Sequence, residues 1–123
     1  LEDRIRFKSG VREEEIVDIY HNSDIAVIPS LYEGFGFGAG EAMACGVPLI
    51  STDSGGLKQV IGDSALKIKP GSVEDIEEGI IKLFYDDAIR KDLIKKGRKR
   101  MEEYFDWKIA AKSYVNLFEG LVK

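Results

Sequence analysis

Two short apolar runs, Asp24–Pro29 (DIAVIP) and Pro48–Thr52 (PLIST), limit the fold more than anything else in the chain. Neither alternates polar with apolar side chains, so neither offers a face to water. A strand of that kind is covered on both sides, as in parallel sheets. Around these runs the spacing turns helical. Arg12–Asn22 sets Ile16, Ile19 and Tyr20 on one face behind an acidic first turn, and Ala39–Cys45 predicts a short helix stopped by Gly46. Leu57–Ile61 reads as a helical turn. Two more strands are expected: Arg4–Lys8 (RIRFK), which alternates and ends at Gly10, and Ala65–Lys69, ended by Pro70–Gly71. Ser72 has the chemistry of a cap for Val73–Tyr85, whose stripe is Ile76, Ile80, Leu83 and Phe84. Helices over Asp87–Tyr104 and Asp106–Val122 complete the chain. Asp106 caps the last of them, where Trp107 and Tyr114 predict one packed face. Strands alternating with helices define an α/β fold, a Rossmann-like parallel sheet with flanking helices and right-handed crossovers.

Charge and composition narrow the function. The 123 residues are 44% hydrophobic, enough for one domain with a real core, and carry a net charge of −4, a field that does not favour nucleic acid. A single cysteine, Cys45, excludes an internal disulfide and a cysteine-based metal site, and it reads as a buried inert thiol. The single histidine, His21, reads as a surface or capping group. No apolar run approaches the roughly 20 residues that span a bilayer, and no signal-peptide pattern opens the chain, so a cytoplasmic location is expected. The basic stretch Arg90–Arg100 (RKDLIKKGRKR) reads as a solvated helix face, with a surface turned towards anionic lipid as the alternative.

Chemistry concentrates in residues 31–46, LYEGFGFGAGEAMACG. Glycine stands at 34, 36, 38 and 40, with Glu33 and Glu41 at either end. Glycine is a poor residue for strand and helix interiors, so this spacing predicts a backbone that approaches something closely. The segment follows a strand and opens a helix, where ligands bind in parallel α/β folds and where free N–H groups attract anions. A carboxylate accepts two hydroxyl donors side by side, which suits a cis-diol. Phosphate on the backbone and diols on the carboxylates together describe a nucleotide sugar. The spacing is neither the G-x-G-x-x-G fingerprint nor a P-loop.

The stretch LYEGFGFGAGEAMACGVPLISTDSGGLKQVIGD, residues 31–63, resembles the donor-binding segment of glycosyltransferase family 4. E-x7-E from Glu33 to Glu41 carries the resemblance, together with G-F-G, A-M-A-C-G-x-P and D-S-G-G. DRIRFKSGV, NSDIAVIPS and YFDWKIAAKSY extend it over most of the chain. The resemblance implies a retaining, metal-independent hexosyltransferase of the two-domain GT-B type, with a nucleoside diphosphate sugar as substrate and no further cofactor. It implies a catalytic role for Glu33 at the donor sugar and ribose binding by Glu41. It implies backbone contacts from Phe35, Gly36, Phe37, Gly38 and Ala39 to sugar and diphosphate, and a base-bordering position for Val11, beside Gly10. The acceptor, a sugar or a lipid-linked one, belongs to an N-terminal domain, and peripheral contact with the inner membrane face is an associated expectation. Phe37–Gly38 replaces the usual leucine–proline, which predicts a looser turn with one more free N–H. The family's domain also opens with two further strands bearing an arginine and a lysine for the diphosphate. Residues 1–123 then make an incomplete half of the architecture, and the Asp24–Pro29 strand loses its inner neighbour. Either Arg4–Lys8 moves beside it, or a second copy completes the sheet through the exposed strand edge. An alternative reading is a non-catalytic binding or assembly fragment, inactive on its own.

Overall fold

The computed structural model describes residues 1–122. Among them, strands β1 (Ala26–Ile28), β2 (Leu49–Ser51) and β3 (Leu66–Lys67) form one parallel sheet in the order β1-β2-β3. The helices are α1 (Glu13–His21), α2 (Phe37–Ala44), α3 (Leu57–Ile61), α4 (Val73–Tyr85), α5 (Asp87–Tyr104) and α6 (Trp107–Leu121). The expected Rossmann-like α/β architecture is therefore present. β2 is central, and its three residues are fully buried. Successive side chains of a strand point to opposite faces, which explains why Leu49 and Ile50 are both apolar, while the buried hydroxyls of Ser51 and Thr52 donate to the Thr52 and Ser30 carbonyls. Leu49 joins Ala39, Ala42, Met43, Val60 and Ile61 on the face of α2 and α3. Ile50 joins Ile68, Leu83 and Leu93 on the face of α4 and α5.

The end of β3 is locked to the start of α4. Ser72 Oγ accepts a bond from the Asp75 amide (3.1 Å), and Asp75 Oδ2 accepts one from the Lys69 amide (2.8 Å). The Lys69 N–H and then the Ser72 hydroxyl hold the Asp75 carboxyl below the usual carboxylate range. A depressed folded-state pKa contributes stability above the unfolded value, near pH 4, that is lost as the pH falls through the folded value. Asp75→Asn is accordingly expected to lower the urea midpoint at pH 7 and to match the parent at pH 2. A gap of equal size at both pH values would show that the ionised carboxylate contributes nothing.

The basic stretch of α5 is largely neutralised along its own helix, by Lys91–Asp87, Lys96–Asp92 and Arg98–Glu102, each at 2.6 Å. Two of its arginines also serve neighbouring helices. Arg98 donates to the Ala44 carbonyl at the end of α2, and Arg100 donates to the Val60 carbonyl in α3 at 2.7 Å. Both satisfy carbonyls that a helix end leaves without partners. No helix among the described residues is long and apolar enough to cross a membrane.

Three expectations need correction. Arg4–Lys8 is not a strand: Glu2–Arg4 makes one 3-10 turn, and the residues from there to α1 join no strand and bend at Gly10, with Phe7 almost fully exposed. An extended segment becomes a strand only against an edge, and this one does not move beside β1, which stays at the end of the sheet. Trp107 and Tyr114 do share a face of α6, but that face is exposed, not packed. The helix expected from Ala39 begins instead at Phe37, so Gly38 lies inside its first turn.

Candidate functional site

The loop from β1 to α2 is built against the Ser54–Gly56 turn that precedes α3. Thr52 Oγ1 donates to the Ser30 carbonyl (2.7 Å), and the Gly56 amide donates to the Glu33 carbonyl (2.8 Å). The two backbones lie too close for side chains between them. A Cβ on Gly56 would sit 2.2 Å from the Gly34 carbonyl oxygen, and one on Gly55 would sit 2.4 Å from that of Glu33. Gly36 takes φ 99°, and a Cβ there would meet Leu57 Cδ2 at 2.6 Å. Part of the glycine pattern therefore serves loop-on-loop packing within the chain. Gly34 is different, because nothing lies within 4 Å of its added Cβ.

Gly36 is the N-cap of α2, and no side chain caps this helix. The amides of Ala39 (3.1 Å) and Gly40 (3.2 Å) are taken by the Gly36 carbonyl, while those of Phe37 and Gly38 have no backbone acceptor among the described residues. These two N–H groups stand at the positive end of the helix dipole, where anions are stabilised. Tyr20, on α1, donates its hydroxyl to the Gly38 carbonyl (3.1 Å). Burial, and then the charge of Glu41 beside it, raises the Tyr20 hydroxyl above its ordinary pKa. Burial and Glu41 raise the Cys45 thiol as well, against the nearby Arg98, and keep this half-buried group protonated and poorly nucleophilic.

A groove of about 640 Å³ opens between α2, α5 and α6. From the predicted segment, Phe35, Phe37 and Glu41 line it; Val60 and Met101 form part of its floor, and Phe105 and Trp107 part of its wall. The Phe35 ring centroid is 4.8 Å from that of Phe37 and 6.1 Å, edge to face, from that of Phe105. Glu33 does not line this groove. It is half-buried, and its Oε2 accepts a bond from Ser30 Oγ at 3.0 Å. Ala39 is fully buried in the core, so only its backbone belongs to the loop region. Gly36 and Gly38 stay in the loop and first turn, and Val11, half-buried just before α1, is also outside the groove. Sequence reasoning missed Tyr20 and the aromatic wall from α5 and α6. Tyr20 sits 18 residues from Gly38 and carries no motif of its own.

The parallel sheet and its strand–loop–helix corner place the chain in a structural class shared with sugar-transferring enzymes. Sucrose-phosphate synthase from Thermosynechococcus elongatus superimposes with a TM-score of 0.87 at 32% identity, covering 98% of this chain and 31% of that one. The C-terminal domain of a glycosyl transferase group 1 family protein from Francisella tularensis gives 0.72 at 28% identity, covering 84% and 53%. The model of the family "Glycosyl transferases group 1" matches residues 1–100, and the chain belongs to that family. Among curated relatives, the MMP alpha-(1->4)-mannosyltransferase of Mycolicibacterium hassiacum is 32% identical over 125 residues, which is 99% of this chain and 30% of that protein. Mannosylfructose-phosphate synthase of Agrobacterium fabrum is 36% identical over 98% of this chain and 27% of its own length. The chain thus spans under a third of these relatives.

Proposed function

We propose that these residues are the nucleotide-sugar-binding part of a retaining hexosyltransferase of GT-B architecture, which moves a hexose from a nucleoside diphosphate to an acceptor hydroxyl. One observation supports the reading best: α2 opens with two unclaimed amides, Phe37 and Gly38, and carries Glu41 one turn on. The amides face the developing diphosphate charge, and fixed dipoles of that kind need no reorganisation as charge builds. Glu41 accepts from the ribose diol. Glu33, steadied by Ser30, orients the donor sugar. The leaving phosphate assists deprotonation of the acceptor on the same face. The acceptor site lies in sequence beyond these 123 residues, so they bind donor without turning it over. No metal takes part.

Calorimetry with nucleoside diphosphates tests the assignment. Glu41→Ala is expected to weaken a ribonucleotide about tenfold, the value of one charge-assisted hydrogen bond, and to leave a 2′,3′-dideoxy analogue nearly unchanged. Equal losses for both would remove the diol role. Turnover by the 123-residue chain with any donor would refute the claim that it only binds.

A further inference from the structure

We propose that Tyr20 is a positioning residue for the donor: its hydroxyl, bonded to the Gly38 carbonyl, holds the opening turn of α2 so that the Phe37 and Gly38 amides stay aimed at the diphosphate. This role rests on the nucleotide-sugar reading and brings to it a residue from outside the glycine–glutamate segment. The turn that carries the two amides is the weakest part of its helix. Gly36 precedes it, Gly38 and Gly40 follow within α2, and glycine is the poorest helix former after proline. The core grips α2 only from Ala39 onward, through Ala39, Ala42 and Met43. Ahead of Ala39 stand two glycines and Phe37, which is 73% exposed. A helix of eight residues has little stability of its own in water, so its first turn needs an outside hold.

Helices α4, α5 and α6 are held at this point by the side chains of Ser72, Asp86 and Asp106, each of which accepts from an amide of the first turn. A cap of that kind on α2 would consume the amides that the donor needs. Tyr20 restrains the same turn through a carbonyl instead, a group for which an anion has no use. A carbonyl oxygen has two lone pairs, so the Tyr20 bond at 3.1 Å need not displace a helical one. The ring is half-buried and packs against the core shared by α2 and α3, which fixes where the hydroxyl stands. Burial, and then the Glu41 charge, keep its proton in place for donation. Amides held in this way face the ligand already oriented, and no ordering of the turn is left for binding to pay.

Tyr20→Phe keeps the ring and removes only the hydroxyl. Calorimetric titrations with UDP against uridine, and with GDP against guanosine, test the role, the pair that the parent chain binds more tightly being the one compared. The variant is expected to bind the diphosphate about fivefold more weakly, within the range of one neutral hydrogen bond, and the nucleoside as the parent does. A hydroxyl of purely structural value would lower the melting temperature and leave the ratio of the two affinities unchanged. Nitrogen-15 relaxation is expected to give lower order parameters for the Phe37 and Gly38 amides in the unliganded variant. A parent that prefers the diphosphate, with that preference intact in Tyr20→Phe, would overturn the role of Tyr20 and leave the nucleotide-sugar reading standing. Equal losses for diphosphate and nucleoside, or unchanged order parameters, would overturn it as well. A parent that binds the diphosphate no better than the nucleoside would overturn the reading and this role together.

Discussion

Gly56→Ala should cost the chain both stability and ligand. Gly56 has φ −66° and ψ −20°, a helical conformation open to any residue. On backbone preference alone, alanine there would stabilise by about 0.4–1 kcal/mol, because it restricts the unfolded chain. Packing decides otherwise. The new Cβ would lie 2.2 Å from the Gly34 oxygen, 2.7 Å from its carbonyl carbon and 2.8 Å from Phe35 Cα. All three are backbone atoms, so no rotamer change relieves the contact and the β1–α2 loop must move. Overpacking of this kind costs about 1–3 kcal/mol, occasionally more. The shift also stretches the Gly56 N–H bond to the Glu33 carbonyl and displaces the start of α2. The expected result is a melting temperature lower by roughly 5–10 °C and nucleotide affinity reduced at least tenfold. Gly34→Ala is the control, with open space around its added Cβ. It should melt with the parent while losing affinity, if ligand passes close to that backbone. Should Gly56→Ala melt at or above the parent temperature, the two loops are not in the contact described.

The elements that were legible in the sequence announce themselves locally. The α4 and α5 spans agree with the expectation residue for residue, and Ser72 and Asp106 cap as expected. A cap and an apolar stripe are complete within one stretch of chain. β1 and β2 were equally plain, because strands with little contact with water write themselves as short, mostly apolar runs without polar alternation. What failed depended on partners elsewhere. Arg4–Lys8 has the alternation of a strand but pairs with no edge, and Trp107 with Tyr114 has the spacing of a packed face but stays exposed among the described residues. The candidate site divides in the same way. Its motif was visible, and the structure places Phe35, Phe37 and Glu41 on one groove. The second reason for the glycines, contact with Gly55 and Gly56 some 20 residues on, has no local signature. The D-S-G-G turn registered as a turn, while its role as the surface that shapes the Glu33–Gly36 backbone needed coordinates.

Met43→Ala should produce the largest loss of stability among changes outside the site. Met43 is 1% exposed in the core shared by α2, α3 and β2. Its side chain also meets α5: a Cβ on Gly97 would come within 3.0 Å of Met43 Cγ and 3.1 Å of its Cβ. Glycine at 97 lets α5 lie directly on α2, and Met43 fills the contact. Truncation removes about three heavy atoms and opens a cavity that a helix held at both ends cannot collapse to fill. The Arg98 bond to the Ala44 carbonyl fixes one end, and the Tyr20 bond to the Gly38 carbonyl fixes the other. Methionine-to-alanine changes at such positions cost about 2–5 kcal/mol, a large share of what holds a domain of this size together. Chemical denaturation should show the midpoint falling sharply with little change in slope. Met43→Leu, which conserves volume, should cost under about 1.5 kcal/mol. Nucleotide affinity measured well below the new transition should fall too, because α2 carries the Phe37 and Gly38 amides and Glu41 on one rigid rod whose seat has been cut away. If Met43→Ala loses stability but binds as the parent does, the ligand is held by the loop alone and the role given to α2 is wrong.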